Sequence, residues 1–367
     1  MHPDAMRQSC RYPCSGRSVI VVRECPTGVD RTPAEGVSMR TDIFTTLSNR
    51  NETWPAPADL LAAGCTGVRI IAKGKILPLL DRGELTPWIH AARDGGLRVL
   101  LDLPGDKPLV RRLTGALHLV AGDEVVLADS TEEAPRRHPG SRVMEIDHGR
   151  RLLDAVAVGD EIVVADGAYV LVVNAVNAAE VTTRCVASSP MTLSARSVGR
   201  RSTALSVSCP TAPELELAAR LGPKLADAVV VSFCEQVSQI TRIRESAAGV
   251  TVFAKIESAR GYAEAERIAE AADGVLVGRH DLGVELDPSA VCEVVRNTVE
   301  LCRRLRRPVV VGSRILESLC DRSTPSATDV ADVRRLLRLG VDGLLVAGSI
   351  SVLDPLRAVR VLRDLCG

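Results

Sequence analysis

The stretch from Val252 to Leu286, VFAKIESARGYAEAERIAEAADGVLVGRHDLGVEL, constrains the fold of this chain more than any other. An apolar run, Val250 to Ala254, is followed at once by Lys255, Ile256 and Glu257. The segment behind it sets Ala263, Ile268 and Ala271 on one side and Glu264, Glu266, Arg267 and Glu270 on the other, the pattern of an amphipathic helix. A second apolar run, Gly274 to Val277, ends in Gly278, Arg279, His280 and Asp281. Strand, helix, strand in that order is a parallel βαβ unit, because parallel neighbours need a long crossover between them. Both strands release their charged residues at their C-terminal ends, the face on which parallel barrels carry active sites. Lys255 and Glu257 also suit a plain solvated strand end. Converging on one face, a lysine and two carboxylates can hold a divalent cation and a phosphoryl or carbanion-like oxygen.

The same alternation recurs along most of the chain. Thr41 to Leu47, Gly67 to Ala72, Leu97 to Leu101, Ala228 to Ser232, Val309 to Val311 and Gly343 to Val346 read as further strands. Helices are expected over Pro57 to Ala63 (closed by Gly64), Leu85 to Gly95, Pro213 to Leu225, Glu235 to Ala247, Pro288 to Arg304 and Pro355 to Leu365. Asp287 suits the N-cap of the fifth of these, with Pro288 at its first position. Eight apolar runs alternating with helices predict an α/β fold, a (β/α)8 TIM barrel. Arg69 lies inside the second strand, where burial is costly unless its guanidinium meets an anion, either a ligand or a structural partner.

Between Gly105 and about Ser208 the rhythm changes. Glu124 to Ala128, Glu161 to Ala165, Tyr169 to Val173 and Val181 to Val186 are short, β-branched and separated by Gly, Asp and Asn. That pattern predicts a small all-β domain inserted after the third barrel strand. Residues 1–38 hold Cys, Arg, Pro, Ser and Gly around one short apolar run, Val19 to Val22, and are expected to form a disordered N-terminal extension. The expected organisation is therefore barrel over 39–104 and 209–367, with the insert over 105–208. Met39 and Met1 are both candidate starts.

Composition narrows the partners. Lys+Arg and Asp+Glu are each 46, so net charge gives no electrostatic argument for nucleic acid or a membrane surface. Three Phe, three Tyr and two Trp leave little for base stacking. No apolar run approaches the roughly 20 residues that span a bilayer. The eleven cysteines are scattered, several of them (Cys65, Cys234, Cys292, Cys302) inside apolar segments, as buried thiols in a reducing cytoplasm are. Cys10, Cys14 and Cys25 lack a fourth metal ligand at any familiar spacing.

Three of these stretches resemble the pyruvate kinase family. The family has a strand ending in lysine, isoleucine, glutamate, matched by Lys255, Ile256 and Glu257. Its next strand ends in arginine, glycine, aspartate, leucine, glycine, matched by Arg279, His280, Asp281, Leu282 and Gly283, with His280 in a glycine's place. The run PVVVGSRILES, Pro308 to Ser318, looks like the strand that ends in alanine, threonine, glutamine, with Ser313 for the threonine and Arg314 for the glutamine. The likeness covers about Arg40 to the C-terminus and does not include the family's C-terminal regulatory domain.

The resemblance implies a barrel with an inserted small β-barrel lid domain that closes over the nucleotide. It implies Lys255, Arg69, Ser313 and His280 as catalytic groups, and Arg279, His280, Asp281 and Ser313 as substrate contacts. Glu257 and Asp281 are the implied ligands of Mg2+ or Mn2+. Asp102 and backbone groups are what survives of the monovalent-cation site, since Ile71, Lys73 and Leu103 replace the family's asparagine, serine and threonine. That argues against a potassium requirement, and the Lys73 ammonium offers a charge in the ion's stead. Ser48, Asn49, Arg50 and Asn51 replace the nucleotide loop, Ala327 an arginine, and Ser349 a glutamate. Asp166 matches a lid aspartate, and also suits a hairpin turn.

Three functions remain open from the residues. One is phosphoryl transfer between phosphoenolpyruvate and ADP. Another is a metal-dependent aldolase or decarboxylase forming the same pyruvate enolate without a nucleotide. The third is a non-catalytic ligand-binding homologue. All imply a small-molecule ligand (phosphoenolpyruvate or pyruvate, with ADP or ATP where the nucleotide site survives), no nucleic acid and no membrane. A cytoplasmic location is expected, and a homo-oligomer is compatible with each.

Overall fold

Parallel strands buried on both faces must be apolar on both, and the chain supplies such runs on either side of an insertion. In the computed structural model, residues 41–47, 54–74, 76–113, 119–129, 142–164, 167–178, 180–188, 198–201 and 207–367 are described. The leader 1–38, Met39, the loop 48–51 and Asp166 lie outside them. The chain runs through β1 (Asp42–Leu47), β2 (Gly67–Ile71) and β3 (Arg98–Leu103). It then leaves for β4 (Leu109–Leu113), β5 (Glu124–Asp129), β6 (Arg142–Asp147), β7 (Glu161–Val164), β8 (Tyr169–Val176), β9 (Glu180–Ser188) and β10 (Val198–Arg200). It returns through β11 (Ala228–Val231), β12 (Val252–Ile256), β13 (Gly274–Gly278), β14 (Val309–Gly312) and β15 (Gly343–Leu345). β1 to β3 and β11 to β15 form a closed eight-stranded barrel, every adjacent pair parallel. β4 to β10 form a second, nearly closed seven-stranded sheet in the order β10-β7-β8-β9-β5-β6-β4.

The two-residue period of a strand divides the barrel into two packing layers. Phe44, Leu100, Ala228, Val230, Leu276, Val310 and Leu345, with Phe253 against them, make an interior cluster. The residues between them, such as Leu47, Val68, Val99, Val231, Val252 and Val311, join the larger core beneath the helices. With so few aromatics, the interior is closed by placing rings over glycine. A Cβ on Gly67 would lie 2.4 Å from the Phe44 ring, and one on Gly274 would lie 2.4 Å from the Phe253 ring. Moving two positions along the same inward faces toward the C-terminal ends brings Thr46, Asp102, Ser232 and Lys255. The barrel is therefore apolar below and charged above.

The insert joins the barrel through two crossing segments that hold each other. The Asp106 carboxylate accepts from the Ser208 backbone N–H at 2.6 Å and from Arg151 of the helix Arg150–Ala155 at 2.7 Å. Gly105 donates its N–H to Glu214 at 2.7 Å, and Glu214 closes a capping box with Thr211 at the start of the helix Ala212–Leu225. Gly105 has φ 69°, and a Cβ there would meet Cys209 and the Ser208 carbonyl oxygen at 2.8 Å, so only glycine fits.

Several elements differ from the sequence reading. β4, β6 and β10 and the helix Arg150–Ala155 were not expected. β6 buries the consecutive pair Met144 and Glu145, which hides its alternation, and β4 carries a bulge between Val110 and Arg112. Glu145 is tolerated because Arg112 reaches it at 2.6 Å. The helix between β12 and β13 is broken at Glu264, so Ala265, Ile268 and Ala269 are buried while Ala263 is exposed. β3 runs one residue past Asp102, which pairs with Val230 of β11. Asp281 lies in the short helix Arg279–Glu285. Cys292 is exposed, whereas Cys65, Cys234 and Cys302 are buried. No helix among the described residues is long and apolar enough to cross a membrane.

The ring-over-glycine packing is directly testable. Gly274→Ala is expected to lower stability by about 1–3 kcal/mol, since the added methyl group would force the Phe253 ring out of its present position. Urea denaturation should read that loss. The double variant with Phe253→Leu should recover part of it, because the two positions share one contact.

Candidate active site

The inward, C-terminal positions of β1, β2, β3, β11 and β12 carry polar side chains, and these meet around one carboxylate. Asp102 is 1% exposed. Its Oδ1 accepts from the Ser232 hydroxyl at 2.8 Å, and its Oδ2 lies 3.3 Å from Arg69 Nη1 and 3.5 Å from Lys255 Nζ. Burial works against the Asp102 charge, yet Lys255 and Arg69, with the Ser232 hydrogen bond, hold its carboxyl below the ordinary range. Arg69 Nε donates to Thr46 Oγ1 at 3.2 Å. Two edges of the guanidinium are thus fixed, and its Nη2 has no protein acceptor among the described residues.

Lys255 links this group to a second carboxylate. Its Nζ is 2.8 Å from Glu257 Oε1 and 3.4 Å from Ser232 Oγ. Burial favours the neutral amine, but Asp102 and Glu257 outweigh it and raise the Lys255 pKa. Glu257 is 2% exposed, and burial lifts its carboxyl to about 7 despite the ammonium beside it; the Asp281 charge pushes the same way. Its Oε2 accepts from the Phe233 N–H at 3.3 Å. The last residue of β13 makes room for it: a Cβ on Gly278 would lie 2.5 Å from Glu257 Oε1.

Asp281 completes the cluster with a partner the sequence did not suggest. Lys107, in the segment between β3 and β4, places its Nζ 2.7 Å from Asp281 Oδ1. The same ammonium lies 5.4 Å from the Phe233 ring centre. Burial again opposes the charge, but Lys107 and then His280 hold the Asp281 carboxyl well below the ordinary range. Lys73 lies in the same field. Burial and the Lys107 charge lower its pKa to about 8, with Asp102 opposing. Glu285, behind Asp281, is raised to about 7 by burial while it accepts from the Ala259 N–H at 2.9 Å.

Among the described residues no group of three or more His, Cys, Asp or Glu gathers to hold a metal ion. Glu257 and Asp281 nevertheless suit a divalent cation: they are buried hard oxygen donors in each other's field, and Asp281 already carries a stand-in cation, the Lys107 ammonium. Two protein carboxylates leave the remaining coordination to ligand and water.

The model of the pyruvate kinase barrel domain matches residues 39–352. The chain belongs to the pyruvate kinase family. It is 31% identical over 277 residues to the pyruvate kinase of Mycobacterium tuberculosis, covering 73% of this chain and 57% of that one. It is 28% identical over 334 residues to the pyruvate kinase of Methylorubrum extorquens, covering 89% and 67%. The pyruvate kinase of Staphylococcus aureus matches at 27% over 336 residues, covering 89% and 56%. The chain thus spans between half and two thirds of these relatives' length.

Of the residues the pyruvate kinase likeness singled out, Arg69, Asp102, Lys255 and Glu257 are brought into one network, and Asp281 and the half-buried His280 adjoin it. Arg279 is not brought in. Its buried guanidinium donates to the carbonyl oxygens of Gly312 and Ser313 and pairs with Asp332 at 2.6 Å. Its guanidinium is thus held by protein acceptors on the far side of the loop after β14. What Arg279 does is hold the loop after β14, where Ser313, Arg314 and Leu316 have φ of 68°, 59° and 59°. Such backbone is costly for non-glycine residues and needs that bracing. Ser313 is half-buried within this loop. Ile71 and Lys73 are partly exposed at the end of β2, and Ser349 is exposed in the short helix Gly348–Leu353.

Sequence reasoning missed Lys107, Ser232, Thr46 and Gly278. Ser232 and Thr46 could have been found as inward-facing hydroxyls at the upper ends of apolar strands. Lys107 sits in a polar turn between Asp106 and Pro108, where no periodicity marks a direction.

Asp102 is the charge on which this network rests, so removing it leaves two buried cations short of a partner. Asp102→Asn is expected to cost about 3 kcal/mol in urea denaturation near neutral pH. The folded-state carboxyl lies below its ordinary 3.8, so its contribution is fully present above that value and is lost as pH falls through the depressed folded pKa. The gap between wild type and Asp102→Asn should therefore stay constant from about pH 5 to about pH 8 and shrink in stronger acid.

Proposed function

We propose that this protein catalyses a pyruvate kinase-type reaction: divalent-metal-dependent phosphoryl transfer between phosphoenolpyruvate and ADP through the enolate of pyruvate. The observation that carries this reading is the position of Lys255, 2.8 Å from Glu257 while sharing Asp102 with Arg69 at the charged end of the barrel. In that reaction the bond from phosphorus to the enol oxygen breaks as a terminal ADP oxygen bonds to phosphorus, and the enolate carbon then takes a proton. Charge builds on the phosphoryl and enolate oxygens, and fixed cations stabilise it without reorganising. Lys255, kept charged by two carboxylates, is suited to that task. Arg69, pinned on Thr46 and Asp102, offers its remaining donors to phosphate or carboxylate.

Mg2+ or Mn2+ held by Glu257 and Asp281 supplies Lewis-acid charge to the same oxygens when bound. Ser313, on the loop braced by Arg279, supplies a hydroxyl for protonating the enolate carbon. His280, in the field of Asp281, is a second proton donor or acceptor. Lys73 brings positive charge near Asp102, so no potassium requirement is expected. The insert over 105–208 acts as the lid, hinged at Asp106 and Ser208 and excluding water from the transfer.

The test is ATP formation from phosphoenolpyruvate and ADP, with deuterium exchange into the methyl group of pyruvate in D2O beside it. Metal-dependent, potassium-independent ATP formation is expected, and Lys255→Met should lower it by about 10²–10³. Absence of both activities overturns the reading. Exchange without ATP formation would place the protein among enolate-forming enzymes that use no nucleotide.

Metal binding should follow the state of Glu257. The proton on its carboxyl competes with the cation, so calorimetric Mn2+ affinity is expected to rise as pH passes about 7 and to level off above it. Glu257→Gln should bind more weakly and lose this rise.

A further inference from the structure

Lys107 stands where a cation is needed, and nothing in the phosphoryl-transfer reading requires it to stay there. Its Nζ is 2.7 Å from Asp281 Oδ1, and both side chains are largely withdrawn from solvent, 19% and 15% exposed. We propose that Lys107 is a displaceable internal cation at Asp281, holding that carboxylate in the metal-free protein and leaving it when a divalent cation binds. The proposal rests on the reading of Glu257 and Asp281 as metal ligands.

An ammonium within hydrogen-bond distance of Oδ1 occupies the lone-pair side that a metal bond would use. A second cation at Oδ2 would be repelled by the first, and burial leaves little solvent to screen them. One of the two must go. Lys255 is the poorer candidate, because Asp102 at 3.5 Å and Ser232 at 3.4 Å would hold it after Glu257 turned to a metal. Among the described residues Lys107 has one carboxylate, Asp281, and otherwise rests on the Phe233 ring. It also borders a cleft between barrel and insert, lined by Phe233, Gly199, Arg200, Asp281 and Glu285, into which the side chain can move.

Its place in the chain gives the displacement a consequence. Lys107 follows Asp106, the residue that ties together the outgoing and returning segments of the insert through Ser208 and Arg151. Pro108 after it restricts its backbone to extended conformations. The Lys107–Asp281 pair therefore fastens the hinge of the insert to a metal ligand, and a metal ion that takes Asp281 unfastens it.

The experiment is a Mn2+ titration of the full chain, followed by the electron paramagnetic resonance of free Mn2+, with thermal melts to verify folding. Wild type, Lys107→Met, Lys107→Arg and the double variant Lys107→Met/Asp281→Asn are compared. Lys107→Met is expected to bind Mn2+ about tenfold more tightly than wild type, or about 1.4 kcal/mol. Lys107→Arg should stay near wild type, and the double variant should lose the gain. Should Lys107→Met fail to fold, Lys107→Gln, equally uncharged, carries the same expectation. Affinity unchanged or weakened in the uncharged variant overturns the proposal. If Glu257→Gln still weakens binding in that case, the metal reading survives without it. No Mn2+ binding in any variant overturns both.

Discussion

A carboxylate that is 1% exposed inside a barrel of Val, Leu and Phe is expensive, and the upper half of this barrel is arranged around compensating it. Asp102 takes a hydrogen bond from Ser232 and two cations, Arg69 and Lys255. Because Lys255 is shared, the compensation extends to Glu257, and through the Glu257–Asp281 field to Lys107. Each group is tolerable in the interior only because the next is there. The same dependence fixes Asp102, Arg69, Lys255 and Glu257 together, since moving one of these side chains exposes an unpaired charge in its neighbour. Preorganised cations of this sort are what charge development on an enolate or phosphoryl oxygen requires. The network need not be net stabilising to persist; an apolar replacement of equal volume would fold as well and do no chemistry.

The closed barrel decides where that network can sit. With side chains alternating inward and outward along each strand, the lower interior is filled by Phe44, Phe253 and aliphatic side chains over glycines. That leaves the inward positions at the C-terminal ends for polar groups, where the βα connections and the insert can reach them. Stability is thus concentrated at one end of the same eight strands and polar chemistry at the other.

How much of this could be read from the sequence follows from the same geometry. The barrel strands were legible because burial on both faces makes them continuous apolar runs, and most helices because their caps and faces are regular. The insert was legible as β-rich but not in its strand count, because β6 buries Glu145 next to Met144 and β4 carries a bulge, so both lose their alternation. Lys255, Glu257 and Arg69 announced themselves as charges breaking apolar strands. Lys107 did not, being one polar residue among several in a turn whose direction depends on the hinge. The partners of Arg279 were not legible for the converse reason. It lies two residues before Asp281, but side chains two apart on a helix point to different sides, and it turned to Asp332 and the carbonyl oxygens of the next loop.

The charge of the cluster also distinguishes it from the chain as a whole. Lys+Arg and Asp+Glu balance at 46 each over the full sequence, and around the mouth Arg69, Lys73, Lys107 and Lys255 gather with Asp102, Glu257, Asp281 and Glu285. With the Glu257 and Glu285 carboxyls both lifted to about 7, the cations outweigh the carboxylate charges near neutrality. An excess held in a cavity with low-dielectric walls draws small anions and is neutralised by them rather than by more protein. A divalent cation added to this site would increase the excess further, so metal and anion should each favour the other's binding. Releasing the Lys107 ammonium from Asp281 lowers the repulsion a metal meets while leaving the charge on hand for the anion that follows.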